Sequence, residues 1–167
     1  MEYISSDTNV WIDFNIISRM NLPFLLPYTY IMYTESMESE LLNPEGFKDQ
    51  LAEAGLVGVD ITIEEFLLAQ SWGPLYPKLS IQDRIALAIA KQRDITLLTG
   101  DKALRMAAAQ EGVHVIGTLG ILDQLFDGQY IAKDEYLYCL QEFQKHNGEV
   151  RLPRAELKKR LDRFNDS

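Results

Sequence analysis

The chain has 167 residues, nearly half of them hydrophobic and a quarter charged, which suits one compact domain with a real core and excludes a disordered tail. Its net charge of −9 argues against a protein that coats nucleic acid nonspecifically. That charge is uneven: residues 1–77 hold two basic residues and twelve acids, whereas residues 78–167 hold fourteen and thirteen. The single cysteine, Cys139, rules out an intrachain disulfide and a thiolate metal cluster, as in a reducing compartment. No basic segment followed by an apolar run opens the chain, and the stretch Pro23 to Tyr33 is too short to span a bilayer. A cytoplasmic protein without a membrane segment is the expectation.

In chain order, residues 3–6 read as a short strand ending at Asp7. Asn9 to Met20 reads as a helix capped by Thr8 or Asn9, with Val10, Trp11, Phe14, Ile16 and Ile17 apolar and Asp13 and Arg19 elsewhere. Asn21 to Pro27, with two prolines, is a loop, and the aromatic and β-branched run Tyr28 to Tyr33 a strand. Thr34 offers a cap for a helix whose Met37, Leu41 and Leu42 share a face. Pro44 closes that helix, and a further one runs from there to Gly55. Leu56 to Ile61 is a third strand.

Thr62-x-x-Glu65 has capping-box order and opens a helix to about Gln70. Ser80-x-x-Asp83 repeats the pattern before a helix so apolar that it must be buried. Ile95 to Thr99 is a strand without alternation, as in a sheet covered on both faces. Helix from Asp101 to Glu111, strand from Val113 to Ile116 and helix from Thr118 to Phe126 follow. Residues from about 132 onward form two helices divided near Gly148 and Pro153, the second basic. This alternation predicts an α/β fold, a three-layer α/β/α sandwich with a mainly parallel central sheet. Ligands of such sheets sit beyond the carboxyl ends of the strands, where Asp7 and Asp101 fall and where the first turn of a helix could bring Asp83.

Each acid alone is equally a helix cap or a partner of the helix dipole. Together at one sheet edge they would repel unless a cation sat among them. Oxygen ligands without a His or Cys cluster favour Mg²⁺ or Mn²⁺ over zinc, and His114 and His146 read as structural.

Asp7-Thr8-Asn9 after the first strand, Ser80-x-x-Asp83 on an apolar helix, and Leu97-Leu98-Thr99-Gly100-Asp101 ending the fourth strand together resemble the PIN-like nuclease domains, over roughly residues 1–127. Residues 128–167 are then a C-terminal helical extension packed on or beside that domain. The resemblance implies four acids that hold one or two Mg²⁺ or Mn²⁺ ions and cut single-stranded RNA. The first, third and fourth fall on Asp7, Asp83 and Asp101. The second is a glutamate before a leucine, best matched by Glu40, with Glu38 and Glu35 as alternatives. Asn9 and Thr99 match polar positions that support the acids. Many relatives carry a further acid two or three residues after the fourth; here those positions are Ala103 and Leu104.

Arg84, Lys102 and Arg105 lie near the third and fourth acids and are either phosphate contacts or solvated helix residues. Many bacterial PIN-like proteins are toxins that dimerise and are held by an antitoxin, so an antitoxin and a homodimer are expected partners beside RNA. Two other readings stay open: a degenerate PIN-like module that binds RNA or protein without cutting, and a phosphoryl-transfer domain using an aspartyl nucleophile. The second lacks the aspartate expected two residues after Asp7.

Overall fold

The computed structural model describes residues 2–164. Strands β1 (Glu2–Ser6), β2 (Tyr28–Tyr33), β3 (Val57–Val59), β4 (Thr96–Leu98) and β5 (Val115–Ile116) form one sheet in the order β3-β2-β1-β4-β5, and every pairing is parallel. The chain winds outward from β1 to β3, then returns to the other side of β1 for β4 and β5. The strand order therefore switches between β1 and β4, and in such sheets this leaves a crevice at their carboxyl ends.

Helices α1 (Thr8–Ile16), α2 (Thr34–Glu40), α3 (Phe47–Ala54), α7 (Thr118–Asp127), α8 (Lys133–Lys145) and α9 (Arg154–Asp162) contribute to the hydrophobic cluster on one face of the sheet. Helices α4 (Ile63–Ser71), α5 (Ile81–Arg93) and α6 (Lys102–Gln110) form the cluster on the other. Neighbouring strand residues serve opposite clusters: Tyr30 and Met32 face one and Ile31 the other, as do Leu98 and Leu97. Both faces are covered, and Tyr30–Met32 of β2 and Leu97–Leu98 of β4 are accordingly apolar on both sides. At the centre, Ser5 lets α5 come close and donates its hydroxyl to the Ala86 carbonyl at 2.9 Å. Trp11 stacks on Phe24 at 5.0 Å and meets Tyr30 edge-on, with its Nε1 donating to Ser6 Oγ.

Several boundaries differ from the sequence reading. Asp7, rather than Thr8 or Asn9, caps α1, and the helix stops at Ile16 instead of Met20 because Ser18 turns left-handed with φ 58°. The loop before β2 contains a 3₁₀ turn at Leu22–Leu25. Thr34 does not cap α2; its hydroxyl donates to the Val59 carbonyl across the sheet edge. Leu42 leaves the face of Met37 and Leu41, because α2 ends at Glu40 and Leu42 turns to solvent, 62% exposed. Helix α3 begins at Phe47, after a left-handed Gly46, and β3 is confined to three residues. No helix among the described residues is long and apolar enough to cross a membrane.

Candidate active site

Asp7 is the residue that leaves β1 and caps α1, so its carboxylate stands at the carboxyl edge of the sheet. One oxygen accepts from the Thr8 amide at 2.8 Å and the other from the Thr99 hydroxyl at 2.9 Å. β1 and β4 run in register here, with the Asp7 amide donating to the Leu98 carbonyl, which puts Thr99 beside Asp7. Thr99 is fully buried, and its hydroxyl also accepts from the Asp101 amide at 3.1 Å. One threonine thus bonds the side chain of the first acid and the backbone of the fourth. Asn9, in the first turn of α1, accepts from the Gly100 amide at 3.3 Å and holds the same turn from the other side.

The remaining acids come from two helix ends. Asp83 closes the capping box of α5: it accepts from the Ser80 amide at 3.0 Å while Ser80 Oγ accepts from the Asp83 amide. Asp101 caps α6 by accepting from the Ala103 amide. Glu40 is the last residue of α2 and accepts from the Thr8 hydroxyl at 3.1 Å. Glu35 and Glu38 are exposed, and Glu35 bonds the Tyr33 hydroxyl. The geometry therefore turns Glu40, among these three glutamates, toward Asp7.

The electrostatics tie the four acids together. Burial pushes Asp7 up to about 7, Asp83 and Glu40 add like-charge repulsion, and the bonds from Thr99 and Thr8 only partly offset it. Glu40 is raised by burial and by Asp83, against the Thr8 bond. Asp83 is raised by burial and by Asp101, with Ser80 and Arg84 pulling the other way. The carboxylates feel one another around one rim, yet among the described residues no group of three or more His, Cys, Asp or Glu is gathered closely enough to hold a metal ion. The donor chemistry nevertheless fits a hard divalent cation: the set is all oxygen, and its innermost carboxylate is buried without a cationic partner.

Of the three nearby basic residues, Arg84 donates to the Ala69 carbonyl at 2.9 Å and so ties α5 to the end of α4. Lys102 and Arg105 are exposed on the first turns of α6, immediately after Asp101. A further acid, Asp13, is buried like Asp7 and escaped the sequence reading, which treated it as a plain polar position. It lies one helical turn beyond Asn9 and accepts from the Thr118 hydroxyl at 2.8 Å. Burial pushes it up to about 6 against that bond. Asn9, Asp13 and Thr118 together line the hollow under Gly100, where a Cβ would sit 3.8–3.9 Å from each. The only clue in the sequence was an acid at i+4 from Asn9 on an otherwise apolar helix.

The five-stranded, all-parallel α/β/α sandwich is the nuclease-type fold of PIN-like domains. The DUF3368 family model, a PIN domain, matches residues 3–166, and the chain belongs to that family. No curated protein and no solved structure matches it.

Proposed function

We propose that this protein is a divalent-metal-dependent ribonuclease that hydrolyses phosphodiesters of single-stranded RNA at the rim formed by Asp7, Glu40, Asp83 and Asp101. The observation that carries this is a pair of threonines at one end of the sheet: Thr8 bonds both Asp7 and Glu40, and Thr99 bonds both Asp7 and the Asp101 amide. Buried like charges destabilise the fold unless a cation or a proton compensates them. The four carboxylates would hold Mg²⁺ or Mn²⁺, which when bound supplies positive charge against the phosphodiester and activates water. Thr99 fixes Asp7 and the backbone of Asp101, and Asn9 fixes the turn between Thr99 and Asp101, so the acids are oriented before substrate arrives.

Asp83→Asn and Asp101→Asn keep side-chain acceptors for their helix ends while removing one charge each. Each variant is expected to fold and to lose at least ~100-fold of its Mg²⁺-dependent cleavage of a fluorescent RNA oligonucleotide, several kcal/mol of transition-state stabilisation being at stake. Cleavage equal to wild type in both variants would sink the proposal.

That no three-acid cluster is ready-made among the described residues favours a second reading, a PIN module that binds RNA or protein without cutting. Titration calorimetry with Mn²⁺ separates the two, since the non-catalytic module takes up no ion at millimolar concentration. The proposal includes a toxin role with an antitoxin and a homodimer as partners. Supporting it, Ile63, Phe66 and Leu67 leave an exposed apolar stripe at i, i+3 and i+4 on α4. Sedimentation of a pure monomer at micromolar concentration would remove the dimer from this reading.

A further inference from the structure

A groove of about 770 Å³ opens next to Asp101 and is lined by Lys102 and Arg105 of α6, by His114, and by Arg151 from the segment between α8 and α9. In a chain with 25 acids and 16 basic residues, no acid lines this groove. Five of the sixteen basic residues are ion-paired among the described residues: Arg19 to Glu135, Lys91 to Glu111, Arg93 to Glu65, Lys145 to Glu142 and Arg160 to Asp123. Lys102, Arg105 and Arg151 enter no ion pair among the described residues. Three uncompensated cations in one groove lower local stability through mutual repulsion, and a polyanion relieves that repulsion.

The fold delivers Arg151 to this place by the way the 146–152 segment is anchored. The amides of Glu149 and Val150 both donate to the His146 carbonyl, and Val150 is buried in the main cluster. Leu152 packs against the same cluster. In an extended segment the residue between two inward ones points the other way, so Arg151 is directed outward to the groove. On the far wall, Lys102 and Arg105 are three apart on α6 and lie on one side of it. A second groove, lined by Lys78, Asp101 and Lys102, shares Lys102 and Met106 with the first. A line of cations thus crosses the start of α6 beside Asp101.

We propose that this groove binds the phosphate backbone of a single-stranded nucleic acid next to the acid rim, with Arg151 supplying a contact from the C-terminal segment. The inference rests on the ribonuclease reading for the identity of its ligand, but its test does not require cleavage. Fluorescence anisotropy of a labelled twelve-nucleotide RNA in EDTA reads binding alone, across a range of KCl concentrations. Losing one phosphate contact on a single strand removes about 0.7 from the salt slope, equivalent to ~4-fold weaker binding near 0.15 M salt.

Arg151→Ala and Lys102→Ala are each expected to show that loss and that flatter slope, and Arg151→Lys to restore most of both. Lys159→Ala, at an exposed position of α9, is the control and should bind as wild type. RNA binding that is unchanged in Arg151→Ala, or weakened equally by Lys159→Ala, would overturn the groove assignment, as would no RNA binding by wild type. Binding that follows the groove residues without any Mg²⁺-dependent cleavage supports the groove and defeats the nuclease reading instead.

Discussion

In metal-free buffer at pH 8, Asp7→Asn is expected to melt higher than the wild-type protein and to have lost RNA cleavage. The wild-type carboxyl is raised from 3.8 to about 7 on folding, chiefly by burial. Between those values the folded state binds more protons than the unfolded one, so wild-type stability falls as pH rises from about 4 to about 7 and is then flat. Three units correspond to about 4 kcal/mol at most, and the amide of Asn gives back part of it by facing the Thr99 hydroxyl, leaving a net gain of about 2 kcal/mol. For a chain of this size that is roughly 4–8 °C in Tm. The gap should narrow toward pH 4, where the folded carboxyl is neutral and the unfolded one about half ionised, and vanish only below the unfolded pKa.

Excess Mn²⁺ should reverse the order, since an ion that binds only the folded wild type stabilises it by mass action and leaves the variant behind. Differential scanning fluorimetry at pH 4, 6 and 8, with and without Mn²⁺, makes the comparison. A variant less stable than wild type in metal-free buffer at pH 8 would mean that Asp7 is a structural cap alone. The expected exchange of stability against activity at one residue is the physical signature of a site held in readiness for a cation.

How much of this was open to sequence reading depends on whether the determinant is local. The two capping boxes, Thr62 with Glu65 and Ser80 with Asp83, formed as their spacing required, because both partners lie within one turn. The parallel sheet also follows from alternation of strands and helices; its order, which sets Asp7 and Asp101 at neighbouring strand ends, comes from the structure. What spacing could not separate were residues whose fate depends on a distant partner. Glu40 differs from Glu38 and Glu35 only through the Thr8 hydroxyl, thirty-two residues away. Asp13 looked like a solvent-facing polar residue, and only Thr118 makes it an internal one. The first helix was overrun because Ile17 is buried from a turn, and burial alone does not distinguish a turn from a helix. Arg151 carried no signal at all, since its position is set by Val150 and Leu152 finding the core.

Phe143→Ala should cost about 3–5 kcal/mol, a third or more of the stability of an ordinary domain, although Phe143 lies in the C-terminal helices beyond the α/β alternation. Its ring is fully buried and meets Phe14 of α1 edge-on at 5.8 Å. α1 is the helix that Asp7 caps, so the C-terminal helices pack directly on the element that carries the first acid. The attachment is also polar: the Tyr136 hydroxyl of α8 and the Arg160 guanidinium of α9 both donate to Asp123 of α7. Tyr136 stacks on Phe126 at 4.5 Å beneath that network. An extension that merely leaned on a finished domain would lose its own structure on Phe143→Ala and leave Trp11 undisturbed. Packed as it is, the whole chain should unfold in one transition, with helical circular dichroism and tryptophan fluorescence losing signal together at a lower urea midpoint. A loss below about 1 kcal/mol, or an earlier step seen by circular dichroism alone, would show that residues 128–164 fold apart from the sheet. One transition would instead make Arg151 part of the same rigid body as the acid rim, which is the condition for its cation to stand at a fixed distance from Asp101.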